Sequence, residues 1–313
     1  MTIAFTFPGQ GSQAVGMGRA LADAYPTAAH VFAEVDEALG QNLSKLMWEG
    51  PEAELTLTEN AQPALMAVSL AAIRVLEEKG VWVKREATMV AGHSLGEYSA
   101  LAAANAFSIA DAARLLKIRG RAMQAAVPVG QGAMAALLGL SFADAAAVAA
   151  EAAQGEVCQA ANDNADGQVV VSGSKAAVER AVEIAKGRGA KRAMLLNVSA
   201  PFHCALMRPA ADAMAEALAQ VDVKRPVVPV VSNVLVAAIS DPDEIRRRLV
   251  EQVTGTVRWR ESVQFLARHG VTRLYEIGSG KVLTGLVKRI VEGVEGVAVN
   301  TPDDIEKMVV ALV

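Results

Sequence analysis

The sequence predicts an α/β fold: a large domain with a mostly parallel sheet plus a smaller inserted subdomain. Three observations point there. Short apolar runs stopped by glycine or proline alternate with helical stretches. That rhythm breaks once, between about residues 128 and 197, and then resumes. Inside the break the expected order is βαββαβ, the split-βαβ pattern of a ferredoxin-like unit.

In chain order, Ile3 to Phe7 is an apolar run halted by Pro8-Gly9 and reads as a buried strand. A glycine-rich turn follows, then helical sequence to about Lys79. Val81-Trp82-Val83 and Thr88 to Ala91 are apolar again; the second run ends at Gly92, and a helical pattern begins at Ser94. Within the break, strands are expected at Ala133–Leu140, Val157–Ala161, Gln168–Ser172 and Arg192–Leu196. Helices are expected at about Phe142–Ala153 and Lys175–Arg188, with a turn over Asn162–Gly167. Val227–Val231 and Arg273–Ile277 are further strand candidates. The large domain is thus expected at 1–127 and 198–313, and the insert at 128–197.

Composition narrows the function classes. The 313 residues are 52% hydrophobic and 20% charged, enough for a sizeable core, but only 4% are aromatic, so Ala, Val and Leu must build it. No apolar run approaches the roughly 20 residues of a membrane span. Met1-Thr2-Ile3-Ala4-Phe5 does not read as a signal peptide. A net charge of −4 gives no general reason to expect nucleic-acid binding. Cys158 and Cys204 form neither a disulfide framework nor a metal spacing, and a reducing cytoplasm is the expected setting.

Gly92-His93-Ser94-Leu95-Gly96 fits G-x-S-x-G and sits between a strand and a helix, where that motif works. Its glycines permit a turn too crowded for Cβ atoms, and the turn projects the serine hydroxyl at a helix N-terminus. The alternative is a serine that only caps a helix. A nucleophilic serine needs a base. His93 adjoins Ser94, but neighbouring side chains at a sharp turn point apart. His30 and His269 lie in polar helical surroundings. His203 follows Pro201-Phe202 in a loop after a strand, where catalytic groups often sit; a packed loop histidine is the other reading.

Gly9-Gln10-Gly11 with Ala14 satisfies G-x-G-x-x-A, but the second strand ending in an acid is missing. Gln10 gains another reading, since a turn beside the elbow could help hold an oxyanion. Gly278-Ser279-Gly280-Lys281 is no P-loop, because Tyr275 and Val282 occupy the wrong positions.

Ser108 with Asp111 makes a capping box for a helix from about Ile109 to Ala126. On it Arg114, Lys117, Arg121 and Gln124 form a polar face, whereas Arg119 falls among Leu115, Leu116 and Met123. A buried guanidinium needs an anion. Either an internal Asp or Glu supplies it or the side chain snorkels, or the fork grips a substrate carboxylate.

Taken together, these motifs resemble the malonyl-CoA:acyl-carrier-protein transacylase family of fatty acid and polyketide synthesis. The resemblance spans essentially the whole chain. It is carried by Phe7 to Gln13, by Gly92 to Tyr98, by Asn162 to Asn164 before Gly167 to Gly173, by Phe202-His203 and by Glu276 to Leu283. It implies a large α/β-hydrolase-like domain with a ferredoxin-like insert. It implies Ser94 as nucleophile and His203 as base, oriented by a backbone carbonyl at Gln252. It implies an oxyanion hole from Gln10 and the Leu95 backbone, and a malonyl carboxylate held by Arg119. The expected partners are malonyl-CoA and an acyl carrier protein, with no metal or bound cofactor. Ser279 departs from the proline that many relatives carry there.

Two rivals stay open: a serine thioesterase or hydrolase, which needs a side-chain acid oriented to His203, and a nucleotide-binding module built on the Gly9–Gly11 turn. Lys186, Arg188, Lys191 and Arg192, with Lys288 and Arg289, offer a basic face for an acidic carrier protein, or only a solvated surface.

Overall fold

The computed structural model describes residues 2–313. Among these residues ten strands form two sheets. In chain order they are β1 (Ile3–Phe7), β2 (Ala87–Gly92), β3 (Gly132–Leu138), β4 (Cys158–Ala165), β5 (Gln168–Ser174), β6 (Arg192–Leu195), β7 (Val230–Val231), β8 (Ala238–Ile239), β9 (Arg273–Ile277) and β10 (Glu295–Val299). The larger sheet runs β10-β9-β1-β2-β7-β8. All its pairings are parallel except β7 with β8. The smaller sheet runs β4-β5-β3-β6 and is antiparallel throughout. The class is therefore mixed α/β with a mostly parallel sheet and a separate antiparallel one.

Every strand of the small sheet falls within the interval where the rhythm breaks, and its elements follow in the order βαββαβ. Helix Phe142–Ala153 starts and stops where the alanine-rich pattern does. Its partner runs Lys175–Gly187, and both cover one face of the sheet through Ala145, Val148, Ala149, Ala177, Val178 and Ala181. Small side chains let helix and sheet approach closely, which is how an aromatic-poor chain reaches native packing density.

The same logic builds the main core. Helix Thr58–Glu78 is buried over most of its length, with Ala61, Ala64, Ala67, Ala71 and Ala72 inside. It lies against helix Ile109–Ala126, and a Cβ at Gly120 would stand 2.5 Å from the Glu59 Cα. The two backbones touch there, which sets Arg119 beside Gln62. Opposite faces of the large sheet bury Phe5 and Tyr275 on one side and Trp259 on the other.

Four local expectations change. Asn162–Ala165 is not a turn: these residues continue β4, paired with Val170, Val169 and Gln168 through two irregularities. Their polar side chains look like turn chemistry, but they reach across to the large sheet's side of the molecule. Val227–Val231 contracts to a two-residue strand because Val227 N–H bonds instead to Ala104 O. Val81–Val83 leads into a short helix, Val83–Glu86, rather than a strand. Lys117 is not on the solvated face. It is 7% exposed, and its Nζ bonds Gln41 and Asn60 at 2.8 Å and pairs with Glu59 at 3.2 Å. Ser108 does cap its helix, accepting from the Asp111 N–H at 3.0 Å.

Candidate active site

β2 ends at Gly92 and helix Gly96–Ala103 begins four residues later. Ser94 between them holds φ +54, the left-handed conformation of a strained strand-to-helix turn. The flanking glycines are steric necessities. A Cβ on Gly92 would fall 1.9 Å from Gly96 C and O, and one on Gly96 would fall 2.3 Å from Phe7 O. Asn233 clamps the turn from below, accepting from Ser94 N–H at 2.8 Å and donating to Gly92 O at 2.7 Å. Because backbone rather than a flexible side chain blocks the space, Gly92→Ala is expected to destabilise the protein by about 3 kcal/mol. A thermal melt reads this directly, and an unchanged melting temperature would show that the turn can yield.

Ser94 Oγ lies 2.8 Å from His203 Nε2. On the far side of the ring, Nδ1 lies 2.9 Å from the backbone carbonyl of Gln252. A carbonyl only accepts, so Nδ1 carries the proton and Nε2 faces the serine as an acceptor. His203 is 4% exposed. Burial and the nearby Arg119 charge push its imidazole down to about 3. It is therefore neutral, the base form, across the physiological range. His93 turns away as expected, its Nε2 meeting Asn164 Oδ1 at 2.8 Å. His30 and His269 are exposed. No side-chain acid orients His203, so the feature a serine hydrolase was expected to show is absent among the described residues.

Arg119 is 1% exposed and sits beside Ser94. Its Nη2 donates to Ser94 Oγ at 3.1 Å and to Gln252 Oε1 at 2.9 Å, and Nη1 donates to Gln62 Oε1 at 2.7 Å. Among the described residues no Asp or Glu lies within ion-pair distance, so its immediate partners are two neutral amides, the Ser94 hydroxyl and the Tyr98 ring, 5.7 Å away.

From Arg119 a second chain of hydrogen bonds has forced polarity. A guanidinium only donates, so Gln62 turns its oxygen toward it and its Nε2 donates to Thr58 Oγ1 at 2.8 Å. The Thr58 hydroxyl then donates to Gln10 Oε1 at 3.0 Å. Gln10 is thereby oriented with its NH₂ end free. Gln10, Leu95, Ser94, Arg119 and His203 all line one cavity of about 330 Å³, closed on its other wall by Asn162, Asn164 and Phe202. The Leu95 N–H has no acceptor among the described residues and follows Ser94 directly, the position from which an oxyanion donor would act.

The six site residues read from the sequence thus converge. Thr58, Gln62, Glu97 and Asn233 were not singled out for the site. The available signal was Thr58 and Gln62, polar at i and i+4 on one face of a helix with a long apolar stretch; such residues are buried only when bonded. The other glycine motifs are structural. Only helices lie between β1 and β2, so no dinucleotide-type second strand exists there. In the Gly278–Lys281 turn, Ser279 Oγ donates to Ser12 O at 2.7 Å and so braces the turn that carries Gln10. No group of three His, Cys, Asp or Glu side chains is placed to hold a metal among the described residues. No helix there is long and apolar enough to cross a membrane.

A family model described as the acyl transferase domain matches residues 4–301, which defines the class as an acyltransferase. The malonyl CoA-acyl carrier protein transacylase of Escherichia coli (strain K12) is 50% identical over 299 residues, 96% of each chain. The crystal structure of an acyl-carrier-protein S-malonyltransferase from Bartonella henselae is 56% identical, covers 100% of this chain and 99% of that one, and superposes with a TM-score of 0.98. A malonyl-transacylase in complex with its type II PKS acyl-carrier protein is 46% identical, covers 99% of this chain and 100% of that one, and has a TM-score of 0.96. The chain belongs to the malonyl CoA-acyl carrier protein transacylase family.

Proposed function

We propose that this protein moves a malonyl group from malonyl-CoA to the phosphopantetheine thiol of an acyl carrier protein, through a malonyl ester on Ser94. The observation that carries this reading is the placement of Arg119 Nη2 3.1 Å from the candidate nucleophile. A buried cation there suits an acyl group that ends in a carboxylate. His203 takes the Ser94 proton as Oγ attacks the thioester carbonyl. The Leu95 N–H and Gln10 hold the oxyanion, a contribution of about 3–4 kcal/mol for one well-placed donor. His203 then passes the proton to the departing coenzyme A sulfur. In the second half-reaction it takes the proton of the carrier thiol, which attacks the ester and frees Ser94. No metal or bound cofactor enters these steps.

The insert at 128–197, a ferredoxin-like unit by its strand order, and the α/β-hydrolase-like remainder would form the two walls of the cleft. A cytoplasmic site of action accords with this chemistry. The decisive experiment is intact mass after mixing with malonyl-CoA, mapping of the modified peptide, and then addition of a phosphopantetheinylated carrier protein. A malonyl adduct on Ser94 that transfers to the carrier supports the reading; an adduct elsewhere, or one released only to water, refutes it.

The carrier protein is assigned to a basic groove beside the insert. Lys186 pairs with Glu183 at 2.7 Å and Arg188 with Glu151, so these two are already engaged. Lys191, Arg192 and Arg289 instead converge on a groove of about 430 Å³ with Gly139, Ser141 and Asp166. Reversing Lys191 and Arg192 to Glu is expected to raise the carrier-protein KM about tenfold and leave acylation by malonyl-CoA unchanged. Carrier kinetics that stay the same across a range of salt would place docking elsewhere.

A further inference from the structure

The helix that follows the nucleophile buries a carboxylate that the proposed mechanism does not use. Glu97 is 1% exposed. Its Oε2 accepts from Gln252 Nε2 at 2.7 Å and from the Asn233 N–H at 3.2 Å. Gln252 is the bridge: its other amide atom, Oε1, accepts from Arg119 at 2.9 Å. One neutral amide therefore separates a buried anion from the buried cation at the nucleophile, with its dipole aligned between them.

We propose that Glu97 is a specificity-determining residue: it is the resting counter-charge of Arg119, and it yields that place by taking up a proton when a carboxylate-bearing acyl group arrives. This rests on the reading that Arg119 holds the malonyl carboxylate.

The argument is one of charge in a dry place. At rest, whenever Glu97 is ionised, the site holds one cation and one anion, linked through Gln252. A malonyl group brings a second anion to the same cation. Two buried carboxylates facing one guanidinium cannot both stay ionised cheaply, and Arg119 cannot change its charge. Malonyl needs its carboxylate ionised to use the fork, so Glu97 is the group that must give way.

The remaining neighbours offer no other outlet. Arg119 faces Glu97 from helix Ile109–Ala126, and on its own helix the nearest titratable group is Tyr98, whose hydroxyl burial pushes further up. Gln252 and Asn233, from the other two elements in contact, carry no charge. His203 and His93 are both held down by burial and stay neutral. Burial already pushes the Glu97 carboxyl up to about 7, so its protonation near neutral pH is easy.

The coupling is reciprocal. If malonyl binding raises the Glu97 pKa by about one unit, neutral Glu97 strengthens malonyl acylation about tenfold over ionised Glu97. An acetyl group has no carboxylate and brings no such effect. The transfer itself is proton-neutral below the pKa of the released thiol, because the Ser94 proton leaves on coenzyme A. Any net uptake on acylation therefore reports a side chain.

The test is single-turnover acylation of the full-length protein at pH 7, weakly buffered with an indicator dye, using malonyl-CoA and acetyl-CoA in turn. Wild type is expected to take up roughly half a proton per malonylated site and none per acetylated site. Glu97→Gln is expected to abolish the malonyl-linked uptake and raise the malonyl-to-acetyl ratio of kcat/KM about fivefold at pH 8, with little change at pH 6. Equal uptake with both thioesters, or uptake that survives in Glu97→Gln, would overturn the proposal. Should that variant not fold, the wild-type comparison decides alone. Arg119→Ala separates the two possible failures. If it loses malonyl and acetyl transfer alike, the clamp reading falls. If it loses malonyl alone while wild type moves no proton, the clamp stands and Glu97 is only a brace.

Discussion

Ser94→Ala is expected to fold like wild type and to carry no acyl group after any exposure to malonyl-CoA. The turn that presents Ser94 is held by backbone and by Asn233, none of which needs the hydroxyl. Removing Oγ therefore removes the proposed nucleophile and little else. His203→Ala is the graded counterpart. It should acylate about 10⁴-fold more slowly while still reaching the same adduct mass, since binding and the oxyanion donors survive. The pH profile adds a sign. His203 is held at about 3, so the wild-type acylation rate should show no acid limb near pH 6.5. Rapid-quench acylation between pH 5.5 and 8 measures this. A limb near 6.5 would mean that the working base is more solvated than His203. Stoichiometric labelling of Ser94→Ala would end the nucleophile assignment.

Arg119→Ala is expected to lose most malonyl transfer and little acetyl transfer. Breaking a buried charge pair costs on the order of 3–5 kcal/mol, roughly two to four decades in kcat/KM. The loss should lie at the lower end, because Gln62 and Gln252 satisfy two arms of the guanidinium even when no substrate is bound. The acetyl thioester never used the charge, so its rate should fall only by the slackening of Ser94 and Gln252. The measurement is kcat/KM for both thioesters, with folding checked by thermal melt. Equal losses in a well-folded variant would make Arg119 a structural residue.

Elements with a strong local signature were legible in the chain. Ile3–Phe7 and Phe142–Ala153 are bounded by residues that can do little else, and both appear as expected. Ser94 was legible for the same reason, since glycine spacing reports backbone crowding. His203 emerged by eliminating three other histidines. What stayed hidden depends on which surface meets which. A helical wheel placed Lys117 correctly in angle, but the wheel does not say that Gln41 and Asn60 wait on that side. Asn162–Ala165 has turn-like composition because its side chains bond outward, as Asp163 does to Arg260 at 2.8 Å. Glu97 and Asn233 are 136 residues apart and become partners only through the fold.

The group that orients His203 is a neutral carbonyl of the main chain. No substitution at position 252 deletes it, so the orienting group itself survives point mutation in a way that an aspartate would not. It also brings no negative charge beside the imidazole, which burial and the Arg119 cation hold down to about 3. An aspartate there would favour the imidazolium, as an anion close to a cation does. Without one, a proton taken from Ser94 would be held weakly and handed on readily to the departing sulfur.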